Sequence, residues 1–94
     1  MTLAGILIEP KEVSLIKNKT AKEKKIILYN DDVNTFDFVI ESLIEVCGHD
    51  ILQAEQCTYL VHYAGKCDVK NGSYKALKPV CVALLDRGLT AEIV

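Results

Sequence analysis

Three residues whose side-chain oxygens accept hydrogen bonds follow a short apolar run of this chain. In the stretch LYNDDVNTFDF, residues 28–38, Asn30, Asp31 and Asp32 come directly after IILY, and His62 follows thirty residues after Asp32. Carboxylates, an amide oxygen and a neutral imidazole nitrogen together suit a cation with several N–H donors. The free α-amino group of a polypeptide is such a cation, whereas an internal peptide group has one N–H and no charge. One interpretation is therefore a site that binds the free N-terminus of another chain.

A purely structural interpretation of the same residues stays open. Loops between a strand and a helix often contain Asn and Asp because these side chains satisfy free backbone N–H groups and tolerate unusual backbone angles. A single histidine on a helix is also more often a packing or surface residue than a ligand. Sequence spacing alone does not separate the two interpretations.

The elements around these residues are predicted from periodicity and capping signals. Residues 26–29 are typical of a short strand. A helix is expected from Phe36, with Asn34 as its N-cap, Asp37 as the capping-box partner and Gly48 at its end. Its apolar face holds Phe36, Val39, Ile40, Leu43 and Cys47, and its polar face holds Asp37, Glu41, Ser42 and Glu45.

The second half of the chain predicts two more helices and two more strands. Asp50 is the expected cap of a helix that ends at Gly65, and residues 66–70 then alternate weakly as a strand, with a turn at 71–72. The third helix starts either after Ser73 as a cap or only at Pro79, and a last strand begins at residue 89. We therefore expect an α+β domain with a three-stranded antiparallel sheet and three helices on one face, in the order β-α-α-β-α-β.

Length and charge limit the possible roles. With 94 residues the chain forms at most one small domain, and its formal net charge of −2 argues against nucleic acid as a partner. Residues 1–24 are lysine-rich near their end and are expected to form a flexible arm before a core of residues 25–94. No apolar run has the length of a membrane span, so we expect no membrane partner and a cytoplasmic location. We also expect a monomer.

The four cysteines favour neither a metal site nor an enzyme. There is no C-x-x-C pair, and Cys57 and His62, five residues apart on a helix, would point in different directions. We expect reduced, mostly buried thiols, no metal and no cofactor. A cysteine enzyme using Cys57 or Cys67 with His62 and Asp31 is a weaker alternative, because nothing in the sequence indicates an activated thiol.

The combination of N-D-D with V-H-x-x-G-K about thirty residues later resembles the ClpS family. Members of this family are adaptors, not enzymes, that hand N-degron substrates to the Clp protease. The resemblance covers residues 25 to about 70 well and residues 73–94 loosely. It implies binding of the substrate's α-amino group by Asn30, Asp31 and His62, with Asp32 supporting the loop. It also implies a side-chain pocket lined by Asn34, Phe36, Val39, Thr58, Val61 and Leu89.

The resemblance further implies partners. Substrates would begin with Leu, Phe, Tyr or Trp, and the receiving protein would be the N-terminal domain of a ClpA-type AAA+ unfoldase. Lys75 and Lys78 on the third helix are candidate contacts for that unfoldase, although they are equally compatible with an ordinary solvated face.

Two departures from the family pattern fall in the expected pocket. Phe36 and Thr58 stand where methionines are common, so a stiff ring and a short side chain replace flexible ones, and we expect an altered preference for the first residue. An alternative function therefore stays open, namely a protein-interaction domain on the same scaffold without recognition of an N-terminal amine.

Overall fold

The computed structural model describes residues 22–94, and the predicted arm lies mostly outside these residues. The described elements are β1 (Lys24–Tyr29), α1 (Phe36–Cys47), α2 (Ile51–Ala64), β2 (Lys66–Gly72), α3 (Tyr74–Asp86) and β3 (Thr90–Ile93). The predicted α+β class and the order β-α-α-β-α-β are confirmed. β1 begins at Lys24, the residue at which the arm was expected to end.

β1 is the central strand of the sheet, with antiparallel neighbours β2 and β3 on its two sides. Pairing with β2 extends to Lys24 opposite Gly72. The turn expected at 71–72 is therefore wrong, because the earlier start of β1 gives these two residues strand partners. The register shifts between Ile26 and Ile27, which makes Val69 the extra residue of a β-bulge.

The N-cap of α1 is Thr35 and not Asn34, which corrects the sequence prediction. Thr35 has extended backbone angles, and its hydroxyl oxygen accepts from the backbone N–H of Phe38 at 3.1 Å. The side chain of Asn34 is directed to other partners, as described below. The expected helix end is correct: Gly48 takes the left-handed conformation with φ 74°.

The other two helices begin at side-chain caps. Asp50 caps α2 by accepting from the N–H of Gln53, as predicted. Of the two possible starts for α3, the structure has the earlier one, in which Ser73 accepts from the N–H of Ala76. Pro79 consequently lies inside the helix, where it cannot donate a backbone hydrogen bond.

One hydrophobic core lies between the sheet and the helices. Its fully buried members come from β1, α1 and α3 and include Ile26, Leu28, Leu43, Leu77 and Leu84. Ser42 is also fully buried, so its predicted place on the polar face of α1 is wrong. It is accommodated because its hydroxyl donates to the Phe38 carbonyl at 2.8 Å and accepts from Arg87 at 3.1 Å.

The opposite face of the sheet is covered by polar side chains. Ile27 alternates with the core residues of β1 and therefore points away from the helices. It is nevertheless only 8% exposed. On this face Lys25 forms an ion pair with Asp68 at 3.3 Å, and the Tyr29 hydroxyl donates to Glu92 at 3.1 Å. Long polar side chains thus shield Ile27 on the face of the sheet that the helices do not cover.

All four cysteines are free thiols, and Cys47, Cys57 and Cys81 are buried as predicted. Within residues 22–94 no three His, Cys, Asp or Glu side chains are grouped as metal ligands would be. None of the helices described for this chain has the length and apolar character needed to cross a bilayer.

Candidate functional site

A cavity of about 300 Å³ lies where β1 ends, between the loop of residues 30–35, the start of α1 and the second half of α2. It brings together most of the residues singled out in the sequence. The lining consists of Asn30, Asp31, Asp32, Asn34, Phe36, Val39, Thr58, Val61 and His62. Acceptor groups and apolar side chains thus line the same cavity.

The first residue of the loop is fixed to the end of α2. The backbone N–H of Asn30 donates to the carbonyl of Gly65 at 3.0 Å. Gly65 ends α2 in the left-handed conformation, with φ 95°, which turns its carbonyl out of the helix. This bond holds Asn30 close to the last turn of α2, where His62 lies.

Asp31 uses its carboxylate inside the loop. One oxygen accepts from the backbone N–H groups of Val33 and Asn34, each at 2.8 Å, and the other accepts from the Asn34 side-chain amide at 2.9 Å. Partial burial acts to raise the pKa of Asp31, but the hydrogen bonds from Asn34 and Val33 outweigh it, and the net pKa is lowered. The carboxylate is therefore ionised at neutral pH, with three acceptor positions already occupied.

The carboxylate of Asp32 has different surroundings. Asp32 lines the cavity and is exposed. Among residues 22–94 no side chain or backbone N–H lies within hydrogen-bond distance of it, in contrast to the neighbouring Asp31. It is consequently the acidic group of this loop with its acceptor positions free.

Asn34 joins the loop to a distant part of the chain. Its side-chain nitrogen donates both to Asp31, at 2.9 Å, and to the carbonyl of Gly88, also at 2.9 Å. Gly88 lies in the turn between α3 and β3 and has φ 87°. Both amide hydrogens of Asn34 are thereby used, and its side chain is directed to Asp31 and Gly88, while Thr35 caps α1.

α1 and α2 supply the walls of the cavity. Val39 and Val61 are buried, and Thr58 is buried with its hydroxyl donating to the Ala54 carbonyl at 2.7 Å. The Phe36 ring meets Tyr59 edge to face, with ring centroids 4.8 Å apart. These side chains give the cavity an apolar interior with one stiff aromatic side.

His62 is exposed at the mouth of the cavity. Its ring meets Phe36 with centroids 6.0 Å apart and Tyr63 with centroids 4.7 Å apart, both nearly perpendicular. No hydrogen bond from the described part of the chain engages its imidazole. The ring is therefore oriented by aromatic contacts while its nitrogens stay available.

Three of the residues expected at functional surfaces lie outside the cavity. Leu89 does not line it and instead belongs to the hydrophobic core, with 4% exposure, which corrects the sequence expectation. Its backbone N–H bonds to the Leu84 carbonyl at 3.1 Å, and this tight turn after α3 directs it into the core. Lys75 and Lys78 are exposed on α3, a helix that contributes nothing to the cavity.

Sequence reasoning missed Gly65, Gly88 and Tyr59 as residues that shape the site. The two glycines act through backbone carbonyls, which leave no signal in the sequence. Tyr59 precedes His62 by three residues, and helical spacing could have placed its ring near Phe36 only once the packing of the two helices was known.

The Cys47 and Cys67 thiols do not have the environment of a nucleophile. Burial and a hydrogen bond with Cys57 raise the pKa of Cys67 to about 12, and burial raises the pKa of Cys47 to about 11. A reactive cysteine needs the opposite shift, because the thiolate is the nucleophile.

The fold and site define a small α+β domain with a cavity of about 300 Å³ that is lined by acceptor groups and an apolar wall. Residues 19–92 match the model of the ClpS family, described as ATP-dependent Clp protease adaptor protein ClpS. This match covers most of the chain, and the chain belongs to the ClpS family.

Individual relatives carry the name ATP-dependent Clp protease adapter protein ClpS. The chain is 40% identical over 58 residues to the protein of Campylobacter jejuni strain 81-176, which covers 60% of each chain. It is 38% identical over 60 residues to that of Serratia proteamaculans, covering 64% of this chain and 55% of the relative. The aligned part thus spans about 60% or less of the length of these relatives.

Proposed function

We propose that this domain is an adaptor that binds the free α-amino group and the bulky hydrophobic first side chain of a polypeptide and delivers that polypeptide to a Clp unfoldase-protease. The observation that carries the proposal is the cavity in which acceptor groups adjoin an apolar wall. Membership of a family of Clp protease adaptors supports the same function. On this proposal the protein is a binding module and not an enzyme.

The amine is recognised through its charge and its three N–H donors. The Asn30 amide oxygen, a carboxylate and a neutral His62 nitrogen each accept one donor. An internal peptide group offers one donor and no charge, and an acetylated N-terminus likewise loses the cation. Discrimination arises because such a group lacks the charge and some of the donors that these acceptors would bind.

We assign the amine-binding carboxylate to Asp32 and the supporting role to Asp31. The sequence resemblance implied the reverse. The new assignment is supported by the hydrogen bonds of the loop, which occupy three acceptor positions of Asp31 and none of Asp32. Asp31 keeps the loop in shape and adds negative charge next to the amine.

The first side chain enters between α1 and α2. About 300 Å³ is the lower end of the range for ligand pockets, which suits one side chain rather than a longer segment. Phe36, Val39 and Val61 supply apolar contacts for Leu, Phe, Tyr or Trp. Phe36 makes one wall stiff because Tyr59 and His62 both hold its ring.

Delivery would use surfaces outside the cavity. The arm of residues 1–24 and the exposed Lys75 and Lys78 of α3 are the candidate contacts for a ClpA-type unfoldase. Lys78 borders an apolar groove with Tyr74, Val82 and Leu85, so α3 combines charge with exposed apolar surface.

Isothermal titration calorimetry with a Phe-initiated peptide, free and N-acetylated, tests amine recognition. We expect the acetylated peptide to bind at least about 100-fold more weakly, because a charge and two or more hydrogen bonds are lost. Asp32→Asn should weaken binding of the free peptide about 10-fold or more, while Asp37→Asn, an exposed change in the first turn of α1, should leave it unchanged. Equal binding of the two peptides would refute the proposal and favour an interaction domain without amine recognition.

A further inference from the structure

We infer that Asn34 is a positioning residue that holds the Asn30 and Asp32 acceptors in place. Its amide bonds to the Asp31 carboxylate and to the Gly88 carbonyl, and we call this pair of bonds the clasp, because it joins the amine-binding loop to the turn between α3 and β3. This inference rests on the proposed function for its effect on binding. The clasp itself is a property of the free protein. Asn34 also lines the cavity, and the inference concerns its action through Asp31 and the Gly88 carbonyl.

The loop is anchored at both ends by groups that lie far away in sequence. At its start, Asn30 N–H donates to the Gly65 carbonyl at the end of α2. At its end, the Asn34 amide donates to the Gly88 carbonyl, 54 residues later in the chain. Between these anchors the Asp31 carboxylate bonds to Val33 and Asn34. Residues 30–34 are thus tied to two separate elements and to themselves.

A primary amide satisfies both acceptors at this position. The side-chain nitrogen of Asn34 has two hydrogens, and two acceptors lie at 2.9 Å, one the Asp31 carboxylate and the other the Gly88 carbonyl. A hydroxyl has one hydrogen and would satisfy only one of them, and a carboxylate has none at neutral pH. Replacement by Asp would also place a second negative charge against Asp31.

The consequence for binding is preorganisation. Acceptors that are already fixed before the amine arrives lose less conformational entropy on binding than acceptors on a free loop. Loss of the clasp should therefore weaken the amine contacts for every peptide, whatever its first side chain. A residue that merely formed a wall of the cavity would instead change the order of preference among first residues.

The binding test uses the full chain with Asn34→Ala, Asn34→Asp and the control Thr35→Ala. Thr35→Ala removes the cap of α1 next to the clasp and so destabilises the same region without touching it. For free peptides beginning with Leu, Phe and Tyr, we expect Asn34→Ala to lower affinity about 10-fold by a common factor and Asn34→Asp to lower it further. The acetylated peptides should change by less than about 3-fold, and Thr35→Ala should bind as the parent protein does.

A second measurement needs no ligand. Nuclear magnetic resonance titration of the Asp31 carboxyl should show a higher pKa in Asn34→Ala than in the parent protein, because one donor to that carboxylate is lost, and an unchanged pKa in Thr35→Ala. An unchanged pKa in Asn34→Ala would overturn the clasp even if no peptide binds. Weaker binding that depends on the first residue, or that affects free and acetylated peptides equally, would overturn its role in recognition. Failure of the proposed function is seen separately, as equal binding of both peptides by the parent protein.

Discussion

Asp31 and Asp32 are neighbours in the chain, yet their carboxylates have different partners. Asp31 accepts two backbone N–H groups and a side-chain amide, whereas Asp32 faces the cavity with its oxygens free of such bonds from residues 22–94. The difference arises because the loop turns back at Val33 and Asn34 and brings their N–H groups over one carboxylate only. A pair of similar residues is thus divided into a structural and a candidate binding group.

The lowered pKa of Asp31 predicts a pH-dependent contribution to stability. Since the folded-state pKa lies below the ordinary Asp value, the contribution is fully present above that value and is lost as the pH falls through the folded-state pKa. We expect Asp31→Asn to lower the free energy of unfolding by about 1 kcal/mol at neutral pH, a figure reduced for the partial exposure of the group. The difference from the parent protein should shrink as the pH falls below the ordinary Asp pKa of about 3.9.

Urea unfolding at a series of pH values measures this difference. The exposed Glu41→Gln on α1 provides a control for the loss of one negative charge. A pH-independent gap between Asp31→Asn and the parent protein would contradict the assignment of its loop bonds as charge-assisted.

At the scale of the elements, α3 contains a proline where a helix does not favour one. Pro79 is the sixth residue of Tyr74–Asp86, so it removes one backbone hydrogen bond and crowds the carbonyl four residues earlier. The helix forms regardless because Ser73 caps its start and because Leu77, Cys81 and Leu84 bury its inner face. The burial of this inner face outweighs the free-energy cost of Pro79 within the helix.

Pro79→Ala should therefore stabilise the protein. The restored N–H and the relief of crowding favour the folded state, and the greater freedom of the unfolded chain offsets part of that gain. We expect a net gain of about 1–2 kcal/mol in the free energy of unfolding, measured with urea. Lys78→Ala, an exposed neighbour in the same helix, should change stability by less than about 0.5 kcal/mol. A loss of stability in Pro79→Ala would show that the proline has a favourable packing role.

For the molecule as a whole, the three helices share one face of a three-stranded sheet and form one core. The opposite face carries the Lys25–Asp68 ion pair and the Tyr29–Glu92 hydrogen bond over Ile27. A domain of this size has few core residues, so each of them contributes a large share of the stability.

Two adjacent leucines of α3 test this view of the core. Leu84 is fully buried, whereas Leu85 is 48% exposed. Leu84→Ala should cost about 3 kcal/mol of unfolding free energy through lost contacts and a cavity, and Leu85→Ala less than about 1 kcal/mol. Similar losses in urea unfolding for the two variants would contradict the position of α3 against the sheet.

The fold class and the order of the elements could be predicted from the amino-acid sequence alone. These features follow from local signals: the apolar spacing of α1, the caps at Asp50 and the glycines at 48 and 65 act within a few residues. The residues after β1 and the histidine in α2 were identified as candidates from their acceptor groups. The resemblance to the ClpS family implied the residues of the side-chain pocket.

The pairing of the polar groups depends on contacts between distant parts of the chain. The side chain of Asn34 is directed to Asp31 and to the Gly88 carbonyl, far away in sequence, and Thr35 caps α1 instead. Ser42 is buried because Arg87 reaches it from the end of α3. Short-range patterns specify which elements form, whereas a side chain with several possible partners bonds to whichever of them the packing of distant elements brings within reach.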